Sequence, residues 1–193
     1  MGFADYIGEG IKHILDPAGV DHMLFLLVLA AVHQPREWKK VLVLATGFTI
    51  GHSITLALVA FGEIKPDLAM VEFLIPVTIL LTILMNLFRL RRRAGHGNGA
   101  IQFLMVIGFG LIHGMGFSTY LKMLVGKGNP IAMPLLAYNI GVEIGQVIFL
   151  LAFFVVTLLI HSMTRIKHRD WVIFILGGGL SLTLLLISET WPW

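Results

Sequence analysis

Long apolar runs, separated by short polar breaks, set the plan of this chain. A membrane-crossing helix needs about 20 mostly apolar residues. Residues 41–62, 68–89, 100–122, 131–161 and 171–190 each meet that length. The run at 131–161 exceeds it, which implies tilt or extension beyond the hydrocarbon. An earlier run, 17–33, is short: its apolar part begins only at Val20, after the helix-breaking Asp16-Pro17-Ala18-Gly19. It must borrow residues from what precedes it or start below the membrane surface, in protein or a water-lined cavity. Residues 3–15 carry Phe3, Ile7, Ile11 and Ile14 on one stripe, a pattern suited to an interfacial helix. The expected architecture is all-α: one domain over 1–193, a polytopic membrane bundle of six transmembrane helices preceded by a short N-terminal interfacial helix.

Composition agrees. Of 193 residues, 57% are hydrophobic and 13% charged, with mean hydropathy +0.88, too apolar for a soluble domain. The absence of cysteine excludes disulfides, thiolate metal sites, Fe–S clusters and a cysteine nucleophile. The net charge of +3 has the sign that nucleic acid attracts, but the basic residues lie in short loops between apolar runs, so orientation explains them and no nucleic-acid partner is expected. Arg36, Lys39 and Lys40, then Arg89, Arg91, Arg92 and Arg93, then Arg165, Lys167 and Arg169 all fall on one side, ten of the fourteen Lys and Arg. That side is the expected cytoplasmic one, with both termini facing outward. The opening MGFADYIGEG lacks the basic and apolar regions of a cleavable signal peptide.

Ionisable groups inside the apolar runs change the picture most, since at that depth they need partners or a polar cavity. With a rise of 1.5 Å per residue, His22, His52, His113 and Glu143 come from four helices to a similar level, roughly 16 Å from the basic side for His22. Asp21 adjoins His22. Three imidazoles and two carboxylates without thiolates suit Zn, Ni, Co, Fe or Mn and poorly suit Cu(I). A metal-free proton relay or hydrogen-bond network would use the same groups. Asn139, Glu143 and Gln146 share one stripe of their helix, and Thr49 and Ser53 share a side with His52, so Ser53, Thr49, Asn139 and Gln146 are candidates to orient the ligands. Thr46 and Thr55 are expected to bond their own helix's carbonyls. His13 is either a further ligand at the outer entrance, with Asp16, or an exposed interfacial histidine. His33, His96, His161 and His168 lie at cytoplasmic ends, and Glu72 and Asn86 at opposite ends of their span; all six read as ordinary interfacial residues. Gly47 and Gly51, Gly110 and Gly114, and Gly141 and Gly145 stand at GxxxG spacing beside the candidate ligands, which permits close helix approach. Gly177, Gly178 and Gly179 have no polar companion and are assigned to packing.

The stretches GIKHILDPAGVDHMLFLLVL, FTIGHSITLAL, LIHGMGF and YNIGVEIGQ together resemble the HupE/UreJ family of small bacterial membrane proteins, over residues 10 to 147. The family is associated with hydrogenase and urease gene clusters and with nickel or cobalt uptake. The resemblance implies a six-span metal permease of the bacterial inner membrane, termini periplasmic, with His13, Asp21, His22, His52, His113 and Glu143 at the motif positions. Transport of a divalent metal ion, nickel or cobalt before zinc, is the favoured expectation. The alternative is an intramembrane zinc hydrolase of a lipid-like substrate, with Glu143 as general base beside Asp21 and Ser53. Below the site, the first two spans offer mostly Leu, Val and Ala, so no inward exit is evident. The expected partners are the metal ion and the lipid bilayer, and the chain is free to form homo-oligomers.

Overall fold

A computed structural model describes residues 1–17, 19–92, 99–126 and 130–192; Arg93, His96 and Lys127, singled out above, lie outside the described residues. Among the described residues seven α-helices follow in order: α1 Phe3–Leu15, α2 Val20–Ala31, α3 Trp38–Ala60, α4 Leu68–Arg92, α5 Gly99–Val125, α6 Ala132–Met163 and α7 His168–Glu189, with a 3₁₀ turn at Pro35–Glu37 before α3. No strand occurs among the described residues. Helices α3 to α7 are each long and apolar enough to cross a membrane, and α1 with α2, bent by 67°, completes a sixth crossing if the pair acts as one.

Local chemistry fixes the ends. The Asp67 Oδ1 accepts from the backbone N–H groups of Ala69 (3.1 Å) and Met70 (3.4 Å), capping the free donors of α4. At the other end of that connection Gly62 takes φ +87°, which glycine adopts without a Cβ penalty, and the Glu63 N–H reaches back to the Leu58 carbonyl at 2.9 Å to close α3.

The amphipathic stripe of α1 is present, but much of it faces protein. Tyr6, Gly10 and Ile14 are buried, and α1 lies along α6 in one of the two most extensive helix contacts of the bundle. At Gly10 an added Cβ would strike the Tyr138 carbonyl, and at Gly141 the Ile7 carbonyl. The 12-residue α2 is about 18 Å long at 1.5 Å per residue, well short of the hydrocarbon, so it crosses only if α1 extends it.

The other major contact joins α3 and α5. Here Gly51 meets the Ile107 backbone, Gly110 the Phe48 carbonyl and Gly114 the His52 carbonyl, so the two backbones touch without intervening side chains. Gly110→Ala is therefore expected to destabilise the bundle by about 1–3 kcal/mol through forced separation of α3 and α5, despite alanine's better helix propensity. Gly178→Ala, with open space around it, should leave thermal stability unchanged or raise it. Equal melting temperatures for the two variants in detergent would contradict the packing account. Of the three consecutive glycines in α7, only Gly179 packs, against Val28; Gly177 and Gly178 have no neighbour that a Cβ would meet, which corrects their assignment to packing.

Basic residues from three stretches of the chain lie toward one end of the bundle among the described residues. Arg36, His161 and His168 line one cavity there, and the Arg89 guanidinium donates to Gln102 Oε1 at 3.0 Å. Asn86 is not interfacial: it is 3% exposed and its Nδ2 donates to the Val28 carbonyl at 2.8 Å, tying α4 to α2.

Candidate metal centre

The bend after α1 returns the chain so that the end of α1 faces the start of α2. The His13 and His22 rings stand 4.4 Å apart, centre to centre. The close glycine contacts of α3 with α5 bring in His52 and His113 from the opposite wall, with ring centres 6.0 Å and 5.2 Å from His22. His22, His52 and His113 are at most 4% exposed. Two overlapping donor groups result, one of His13, His22 and His52, the other of Asp21, His22 and His113. Within each, one ligand atom per residue falls within 4.8 Å of the others. His22 belongs to both.

Hydrogen bonds fix which nitrogens face inward. Asp21 Oδ1 lies 3.3 Å from His22 Nδ1, so the carboxylate accepts Nδ1–H and leaves the lone pair on Nε2. Thr78 Oγ1 donates its one proton to the Ile75 carbonyl at 2.7 Å and can therefore only accept from His113 Nε2 at 3.1 Å. The His113 lone pair is then on Nδ1. Those lone-pair nitrogens, His22 Nε2 and His113 Nδ1, are buried with no hydrogen-bond partner, as are His13 Nε2 and both ring nitrogens of His52. Buried polar atoms normally have partners. Four histidines in one pocket, each with a buried unpartnered nitrogen and so one imidazole donor apiece, fit a borderline divalent cation.

Aromatic rings close the pocket on two sides. Phe117 lies 3.8 Å from the His13 ring and stacks on buried Tyr138, centres 5.0 Å apart. On the side of the basic loops, Phe48 lies 4.9 Å from His113 and stacks on Phe25 at 4.8 Å. A cavity of about 380 Å³, lined by Glu9, Lys12, His13, Asp16, Phe117 and Tyr120, opens directly onto His13.

Not every candidate joins the pocket. Glu143 is in neither donor group; it accepts from Thr46 Oγ1 at 2.5 Å, and its other oxygen is buried without a partner. Thr46 thus bonds across helices, not to its own helix as expected, whereas Thr55 does bond back, to the Gly51 carbonyl at 3.3 Å. Thr49 Oγ1 lies 3.1 Å from Gln146 Oε1, linking α3 to α6. Ser53 donates to the Thr49 carbonyl at 2.7 Å. Asn139 stands beside the His52 ring with its amide oxygen buried and unpartnered. Thr78 had escaped the sequence reading. Its signal was the spacing of Thr78, Thr82 and Asn86, four residues apart and so on one face of α4.

These features define a multi-pass helical membrane protein with a histidine-rich pocket between its helices. The chain belongs to the HupE/UreJ family: the family described as HupE / UreJ protein matches residues 1–191, essentially its whole length. Neither the curated proteins nor the solved structures give a match.

Proposed function

We propose that the chain carries a divalent transition-metal ion, nickel or cobalt before zinc, across the bacterial inner membrane, with both termini periplasmic and the ten loop cations on the cytoplasmic side. The observation that carries this reading is the set of four histidines with unpartnered buried nitrogens in two groups that share His22. Each buried polar atom left unsatisfied costs about 1–3 kcal/mol, so such a pocket is shaped for a ligand. In the cavity that opens onto His13, Glu9 and Asp16 would draw the cation toward that ring, and the imidazoles would replace the ion's water. Overlapping groups suit transport, which requires that an ion be passed on and not trapped.

An inward route is supported by α4. Phe25 and Phe48 obstruct the direct path, but beside them the buried residues Thr78, Thr82 and Asn86 form a polar line from His113 toward Arg89 and Gln102. From Thr78 to Arg89 this covers about 16 Å at 1.5 Å per residue. Thr82→Val, which keeps the side chain's shape, is expected to slow metal flux several-fold while the purified protein still binds metal. Unchanged flux would remove α4 from the route.

The test of the whole reading is metal content after purification, followed by uptake into proteoliposomes. His52→Ala and His113→Ala should each lower retained metal and flux, and His168→Ala should lower neither. Equal retention in all three would refute the site. Tight stoichiometric metal without flux would transfer the site to the zinc-hydrolase reading. Against that reading, Ser53 and Glu143 are both hydrogen-bonded to groups outside the two donor sets.

A further inference from the structure

At the basic end of the bundle, far from the histidine pocket along α3, a cavity of about 360 Å³ is lined by Gln34, Arg36, Thr157, His161 and His168. A second concavity, about 390 Å³, is lined by Trp38, Leu42, Leu150, Leu151, Phe154 and Val155. The two share Pro35 and Leu158, so one continues into the other. One is polar and basic and the other apolar, and the groove follows the outward faces of α3 and α6, where Leu151 and Val155 are exposed. We infer that this continuous pair holds one anionic phospholipid, its phosphate among Arg36, His161 and His168 and an acyl chain in the groove.

Charge and geometry select that ligand. The His161 Nδ1–H donates to the Thr157 carbonyl at 2.7 Å, and its Nε2 is buried without a partner. A phosphate there accepts from the Arg36 guanidinium. The His168 ring lies 5.8 Å from the His161 ring, centre to centre, and Lys167 precedes His168 in the chain. The Arg36 guanidinium opposes a metal cation there, and this cluster is absent from the metal-competent groups among the described residues. The nearby acid, Glu37, accepts from the Gln34 backbone N–H at 3.0 Å and lies 3.9 Å from both Lys40 Nζ and His33 Nδ1, so its charge is shared among these groups and His168. Trp38, 47% exposed at the head of the groove, has the amphipathic ring that favours the headgroup level. Basic pockets between helices at a cytoplasmic membrane face bind anionic headgroups.

The test is native mass spectrometry of the full chain in detergent, titrated with phosphatidylglycerol and with phosphatidylcholine of the same acyl chains. Wild type should retain one phosphatidylglycerol with a preference of at least about fivefold. Arg36→Ala combined with His168→Ala should abolish the preference, and Leu151→Trp, which fills the groove, should lower retention of both lipids. Each variant's metal content reports that it has folded. Equal retention of the two lipids by wild type, or an undiminished preference in the double variant, would overturn the inference. Displacement of the lipid by soluble glycerol phosphate would also overturn it, because the polar cavity alone would then account for binding.

Discussion

Replacing His22 by alanine is expected to remove metal binding almost completely, more than any other single histidine substitution. His22 is the one imidazole in both donor groups. His13→Ala or His52→Ala still leaves Asp21, His22 and His113 together, and His113→Ala still leaves His13, His22 and His52. His22→Ala leaves no group of three. Its effect should therefore match that of the His52→Ala, His113→Ala double variant, and should exceed the roughly 10–100-fold cost of losing a residue that merely orients a ligand. Titration of metal into the apo protein reads this directly. If His22→Ala weakened binding no more than His13→Ala, the two groups would not share a centre.

The second large effect is expected at a residue that belongs to neither donor group. Thr78→Val should lower metal affinity by about 10–100-fold. Valine has the shape of threonine but cannot accept from His113 Nε2, so the ring is free to turn its lone pair away from the pocket. Thr78→Ser restores the hydroxyl and should restore affinity. A purely structural role would lower the melting temperature of the apo protein in Thr78→Val and leave the affinity of the folded fraction unchanged. That outcome would contradict the positioning role.

Much of the plan was legible in the sequence, because burying a helix in lipid demands long apolar runs and leaves few alternatives. Equal depth along separate runs was also readable from residue counts, and His22, His52 and His113 do meet. Depth to within a helical turn was not. Asn139 and Glu143 share one face of α6, but Asn139 is the one that stands beside His52, and Glu143, one turn further on, reaches Thr46, six residues before His52 on α3. The place of His13 depended on the bend between α1 and α2 and on the Gly10 contact with α6, and periodicity within a 13-residue amphipathic helix does not distinguish lipid from a neighbouring helix as its partner. Thr78 was hidden for another reason. Threonine in a span commonly bonds to its own helix, as Thr78 does to Ile75, and only the fold reveals that the oxygen's remaining lone pair meets His113. Asn86 was misread because its position near the end of a run suggested the interface, whereas α2 ends early enough for its Val28 carbonyl to receive the amide.

The central claim is that imidazoles distant in sequence jointly hold one cation between the helices. X-ray absorption at the metal edge of the nickel-loaded protein tests it most directly. The account predicts a first coordination sphere with at least three imidazole nitrogens near about 2.0–2.1 Å, the distance typical of histidine ligation, and a loss of that imidazole signature in His22→Ala. A sphere made only of water and carboxylate oxygen, unaltered by His22→Ala, would contradict it.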